Sequence, residues 1–486
     1  MAEIALEQTP PASRSTAGAL ASLSLAMLLA SLSTSIANVA LPTLSVAFAA
    51  SFPAVQWVVL AYLLAITALI VSVGRLGDLV GRRPLLVAGL ALFSAASLAA
   101  ALAPSLPLLI AARAAQGLGA AVMMALAIAF VGETVPRART GSAMGLLGTM
   151  SAVGTALGPS LGGVLIAGLG WRSIFLVNAG LGVAAMLAAW RFLPAAMVAG
   201  EAASIVRPAG TVRQASKRAR FDIIGTLLLA ATLVAYALAM TMGRGHFSAL
   251  NLALLALAVL GAALFVFAEA KVASPLVKLV LLRDPVLSPS LAMNVVVSTV
   301  MMATLVVGPF FLSRALGLSE AMTGAVLSIG PVVSALCGVV AGRVVDRLGA
   351  SAMVLAGLAL MVAGCAALAV LPELLGIVGY AAAIMVLTPG YQLFQAANNT
   401  VVMADVDQGE RGVVSGMLSL SRNLGLITGT AVMGALFAFA TGTREIAGAA
   451  PDAVAHGMRF TFGVAAGLVL VALLVAVLNL PAKRAA

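Results

Sequence analysis

GRLGDLVGRRP, from Gly74 to Pro84, is the stretch on which the reading of the fold turns. It sets one acid, Asp78, and three arginines, Arg75, Arg82 and Arg83, among Gly74, Gly77 and Gly81, between apolar runs at 53–74 and 84–103. Each run has about the 20 residues that a helix needs to cross a bilayer. The glycines permit a tight helix–loop–helix turn, and the acid can meet a helix N-terminus or a nearby arginine. The plainer alternative is a basic turn that merely marks the cytoplasmic side. A second copy, GRVVDRLG from Gly342 to Gly349, repeats Gly74, Arg75, Asp78 and Gly81 as Gly342, Arg343, Asp346 and Gly349, all at one constant offset along the chain. Ala350 and Ser351 stand where the trailing arginines would fall, so a weaker grip is expected there. Gly145 and Gly158 recur as Gly416 and Gly429, again at a single offset and nearly the same one. Copies running in the same chain direction imply two parallel halves.

Outward from this motif, composition excludes a soluble protein. Of 486 residues, 62% are hydrophobic and 9% charged, against roughly half and a quarter in soluble domains. The formal charge of +11 could suggest nucleic acid, but the basic residues sit in short loops with no basic face and no aromatic platform, so no nucleic-acid partner is expected. Two cysteines, Cys337 and Cys365, lie inside apolar runs and read as free thiols. With only His246 and His456 besides, neither a metal site nor a cofactor is expected, and no enzyme chemistry is indicated.

Apolar runs predict fourteen spans: 17–40, 53–74, 84–103, 107–131, 142–168, 172–193, 222–243, 247–268, 287–313, 320–341, 351–371, 374–403, 412–440 and 458–480. Arg113 and Arg422 fall within spans. Arg172, Arg244, Arg314, Arg444 and Arg459 fall on one side, and the remaining 20 of the 27 Lys and Arg on the side of the termini. That asymmetry puts both termini in the cytoplasm. The expected organisation is a tail at 1–16, a six-helix half at 17–193, a cytoplasmic linker at 194–221, two inserted helices at 222–268, a second six-helix half at 287–480 and a tail at 481–486. The linker, with Arg207, Arg213, Lys217, Arg218 and Arg220, reads as a solvated connector or as a segment that binds anionic lipid.

GRLGDLVGRRP resembles the loop between the second and third helices of the major facilitator superfamily, where it clasps the two halves and helps gate the inward-facing opening. The fifth span carries GTALGPSLGG, in which Gly154, Gly158 and Gly162 form one small-residue face suited to close helix contact, and Pro159 should bend or loosen the helix. Packing alone would account for the glycines; Gly-Pro within such a face is also similar to the signature of the superfamily's exporters. The fourth span carries RAAQGLGAA, with Arg113 and Gln116 on one face. A buried arginine there needs a partner or a wet cavity, the alternative being a side chain that reaches the outer headgroups. This stretch looks like the family motif whose arginine is implicated in proton coupling, which makes Arg113 and Gln116 coupling candidates; Glu133, at the end of the same span, is a further candidate as an acid. LSTSIANVALP, Leu32 to Pro42, resembles the fourteen-helix drug:proton antiporters, in which an aspartate usually occupies the place of Ser33. QWVVLAYLL at Gln56 and WRSIFLVN at Trp171 extend the likeness over essentially the whole chain.

The resemblance implies an all-α membrane protein with the major facilitator fold, two parallel six-helix halves plus two inserted central helices. It implies a monomeric secondary transporter of a bacterial inner membrane, surrounded by lipid, exporting small hydrophobic or amphipathic molecules by alternating access in exchange for protons. Efflux of one metabolite, or a non-transporting scaffold, remain the rival readings; a scaffold needs neither the gating loop nor the Gly-Pro face. Ser33 puts the family's coupling acid in doubt. Cavity candidates are Ser33, Asn38, Gln392, Gln395, Asn398, Asn399 and Arg422. With arginines inside spans and every acid at or beyond span ends or in the tail and linker, such a cavity should be electropositive.

Overall fold

The computed structural model describes residues 16–134, 140–193, 223–242, 248–272, 279–404, 406, 411–443 and 446–479. The linker 194–221 and His246 lie outside them. The helices are α1 Thr16–Val39, α2 Leu41–Ala47, α3 Phe52–Val80, α4 Arg82–Ala101, α5 Leu106–Thr134, α6 Thr140–Leu169, α7 Arg172–Phe192, α8 Ile223–Thr241 and α9 Ala249–Lys271. They continue as α10 Leu287–Phe310, α11 Glu320–Leu327, α12 Ile329–Leu348, α13 Ala350–Ala404, α14 Arg411–Thr428, α15 Gly434–Ala440 and α16 Pro451–Asn479.

Thirteen of the described segments are long and apolar enough to cross a membrane. One of them, α13, is 55 residues long and folds back at Gly376, whose φ is 57°. A straight helix of that length would run about 80 Å, more than twice a bilayer's hydrocarbon. Its two arms form a hairpin: a Cβ on Gly357 would stand 2.7 Å from Phe394 N, and one on Gly364 2.6 Å from Leu387 Cα. Counting the arms separately gives fourteen crossings. The spans expected at 351–371 and 374–403 are these arms.

The other differences concern where helices stop. α3 continues past the expected end at 74 to Val80, so Gly74 and Gly77 are helical and the turn is made by Gly81 alone, at φ 96°. Neighbouring helices satisfy and pack such a glycine-bearing stretch, so glycine need not end it; a Cβ on Gly77 would meet Leu126 Cδ2 at 3.0 Å. The second copy behaves alike: Gly342 lies inside α12, and Gly349, at φ 88°, turns the chain into α13. The tenth span continues from 320 to 348 with a break at Ser328, between α11 and α12. The short α2, opened by Pro42, lies beyond the end drawn for the first span.

The internal repeat reappears in packing. α1 lies against α6 as α10 lies against α14, and α4 against α7 as the α13 hairpin against α16. Small residues set the first pairing. A Cβ on Gly154 would strike Leu28 O and one on Gly158 would strike Ser35 Oγ. Their counterparts in the second half, Gly425 and Gly429, face Val295 O and Thr299 O of α10 in the same way. Such approach lets backbones come together in a solvent that offers no hydrophobic drive between helices.

α8 lies along the seam between α3 and α14. Ser72 and Thr226 share a hydrogen bond of 2.7 Å, Trp57 Nε1 donates to Thr241 Oγ1 at 3.1 Å, and Tyr236 OH donates to Thr428 Oγ1 at 3.2 Å. α9 packs on α8 and exposes Leu252, Leu257, Leu260 and Phe267 outward.

Candidate functional site

The two sets of helices meet at the end of the bundle away from the chain termini. There Thr43 Oγ1 donates to Glu320 Oε1 at 2.8 Å, and Gln56 Nε2 donates to Thr430 O at 2.7 Å. Phe52 stands edge-on to Phe310, centroids 4.8 Å apart, and to Phe437 at 5.7 Å. Pro159 and Gly163 of α6 pack on Gly324 of α11; a Cβ on Gly163 would lie 2.8 Å from Glu320 O. Towards the terminus end, Gly148, Gly338, Gly342 and Gly416 open on free space. Among the described residues, the hydrogen bonds and ring contacts that join the two sets lie at this closed end. Thr43, Glu320 and Thr430 do not stand out in the sequence; nothing in a single chain signals a bond between positions in opposite halves.

Beneath the closed end lies Arg113, and it does not reach the headgroups: it is fully buried. Its Nε donates to Val58 O at 2.8 Å, one terminal nitrogen to Ser33 Oγ at 2.9 Å and to Gln116 Oε1, and the other to Ser33 O at 3.2 Å. The guanidinium lies 4.1 Å from the centroid of Tyr62, whose hydroxyl donates to Ala30 O. Gln116 Nε2 passes the network on to Ser97 Oγ at 2.6 Å. One cation thus ties α1, α3 and α5 together through neutral acceptors, and Ser33 is one of them.

The other site residues separate into three groups. Arg83 donates to Trp190 O, joining the start of α4 to the end of α7 within the first six spans. Arg343 and Asp346 are exposed at the end of α12. Gly74, Arg75 and Asp78 lie in α3 and Glu133 in α5, and the side chains of Arg75, Asp78 and Glu133 are outside what the structure describes. Among the cavity candidates, Ser33, Asn38 and Asn398 are buried: Asn38 Nδ2 donates to Thr34 O, and Asn398 Nδ2 to Ser290 O. Gln392 is held by Ser334, and Gln395 donates to Tyr391 OH at 3.0 Å. Asn399 and Arg422 are exposed. Gly162 completes the glycine face of α6, a Cβ there standing 2.9 Å from Ile36 Cγ1.

A separate groove of about 380 Å³ runs between α4 and α7, lined by Ala91, Ser94, Leu98, Gly180, Val183 and Met186. Its apolar, open lining suits lipid tails rather than a central substrate path.

The model of the Major Facilitator Superfamily matches residues 23–430 and 290–486. The multidrug resistance protein Stp of Mycobacterium tuberculosis is 33% identical over 415 residues, covering 83% of this chain and 72% of that protein. The riboflavin transporter RibZ of Clostridioides difficile is 29% identical over 404 residues, covering 83% and 84%. A solved bacterial homologue of the human lysosomal transporter Spinster, inward-facing and unoccupied, superposes with TM-score 0.66 at 16% identity, covering 98% of this chain and all of that one.

Proposed function

The chain belongs to the major facilitator superfamily, and from that premise we propose that it exports small hydrophobic or amphipathic compounds from a bacterial cell by alternating access, in exchange for protons. The observation that carries this reading is the far end closed by contacts between the two sets of helices, where Pro159 and Gly163 of α6 meet Gly324 of α11. With both termini cytoplasmic, as the loop charges favour, the closed end faces outward and the opposite end loads from the cytoplasm or the inner leaflet. The names of relatives such as Stp support a drug-like range. Arg113 holds its place through neutral partners, so the proton-carrying acid of this reading lies outside that network.

A second reading, transport of one metabolite, is supported by the name of RibZ. Reconstituted protein decides between them. With an imposed proton gradient, uptake of several unrelated lipophilic dyes into inside-out proteoliposomes supports broad export, and collapse on adding a protonophore supports the exchange. Uptake of riboflavin with none of the dyes would overturn the broad reading, and uptake indifferent to the gradient would overturn the exchange.

A further inference from the structure

Arg422 is a charged side chain within a span that the closed end does not use. It lies well inside α14, about 16 Å along the axis from the start of that helix, and is exposed. Ser419 beside it is exposed and Asn423 half-buried. Among the described residues Arg422 has no hydrogen-bond or ion-pair partner.

The internal repeat tells which way this face looks. At the offset that carries Gly158 to Gly429, Ser419 corresponds to Gly148 of α6 and Thr430 to Pro159. Gly148 opens on free space, and Pro159, about three turns on along the same face, sets its carbonyl against Gly324 across the bundle. On the other side Ser419 is exposed, and Thr430 O takes its hydrogen bond from Gln56 of α3. The bilayer-facing edge of α6 is different: it exposes Leu157 and Val164. The counterpart of Leu157 is Thr428, which α8 covers through Tyr236. Ser419 therefore faces the opposite set of helices, with Arg422 and Asn423 flanking it. Arg422 lies on the side towards α10, just as its counterpart Ser151 turns to Ser31 of α1. An arginine turned to hydrocarbon would be costly, whereas one at a wet gap keeps its solvation.

We infer that Arg422, flanked by Ser419 and Asn423, recognises the anionic head of an amphipathic substrate: a carboxylate, sulfonate or phosphate. The planar guanidinium presents paired donors to two oxygens of such a group. The neighbouring hydroxyl and amide can complete its hydrogen bonds, and α14 carries no acid to compete. The inference rests on the export reading and assigns it a substrate class.

The test uses two dyes with one ring framework, the anionic 8-anilinonaphthalene-1-sulfonate and the uncharged N-phenyl-1-naphthylamine, with ethidium as a cation. Binding to full-length protein in nanodiscs is followed by fluorescence, and uptake is measured in inside-out proteoliposomes. Wild type binds the sulfonate at least about tenfold more tightly than ethidium. Arg422→Gln loses about tenfold for the sulfonate with N-phenyl-1-naphthylamine unchanged, which also shows the variant folded; Arg422→Lys retains most of the preference. An unchanged sulfonate-to-neutral ratio in Arg422→Gln overturns the inference and leaves export standing, as does tighter binding of ethidium than of the sulfonate. Wild type that binds and moves none of the three overturns both.

Discussion

Arg113 and Ser33 show how one side chain can be reassigned by its neighbour. The sequence places an arginine in the fourth span and a serine where relatives of the resembled family carry an acid, and each looks like a separate departure. In three dimensions they are one contact, 2.9 Å long. A serine there keeps the guanidinium satisfied but leaves its charge uncompensated. Ser33→Asp should therefore pair with Arg113 inside the network rather than present a free carboxylate to the gap. The variant is expected to fold and to gain no efflux of a dication such as pentamidine; a gain in dication efflux would refute this. Arg113→Leu takes the donor from the buried Ser33 Oγ and Gln116 Oε1, at about 1–3 kcal/mol for each buried group left unpaired. It should lose folded protein, read as a falling monodisperse peak in detergent. Sequence reveals both residues but not their partnership, which depends on how α1 and α5 cross.

At the scale of elements, the spacing of apolar runs and the recurrence of glycines read correctly through the chain, because a helix's length is dictated by the bilayer. The stops are harder to read. Gly74 and Gly77 look like turn residues, yet α3 carries them as packing positions and leaves the turn to Gly81. The glycine face of α6 gives the firmest expectation. Ser35 Oγ and Ile36 N leave no room for a Cβ on Gly158, and overpacking costs roughly 1–3 kcal/mol. Gly158→Ala should slow export, and Gly158→Leu should abolish it while the protein still inserts; wild-type efflux from a well-expressed Gly158→Leu sinks the expectation. The far-end latch is weaker. Thr43 and Glu320 are partly exposed, so their bond contributes about 1 kcal/mol at most. Thr43→Val should then shift the access equilibrium by no more than a few-fold towards opening at that end. Spin labels at Leu102 and Met322, exposed on either side, should report a larger population of long distances; an unchanged distribution would show that the bond holds nothing.

For the whole molecule, the parallel repeat and the inserted pair are legible because loops and glycines recur at nearly constant offset. The state is not: whether the bundle is closed at one end, and by which residues, depends on contacts between halves that no single chain announces. Orientation still rests on loop charge, and it has a direct check. In a background lacking Cys337 and Cys365, a cysteine at Ala450 should react with an impermeant maleimide in intact cells, and one at Ser204 should not. The reverse pattern would invert the molecule and turn the proposed exporter into an importer. The inserted helix α8 carries a consequence of its own. It holds α3 at Ser72 and Trp57, near both of that helix's ends, but α14 at Thr428. When the bundle rocks, the bond to Thr428 is the one placed to break, so α8 rides with α3, and α9, packed on α8, rides with it. In the proposed alternating access the moving parts would then be unequal, eight spans against six. This passenger pair covers one flank, beside α3, while at its pseudo-twofold mate α6 packs directly on α11 and α12.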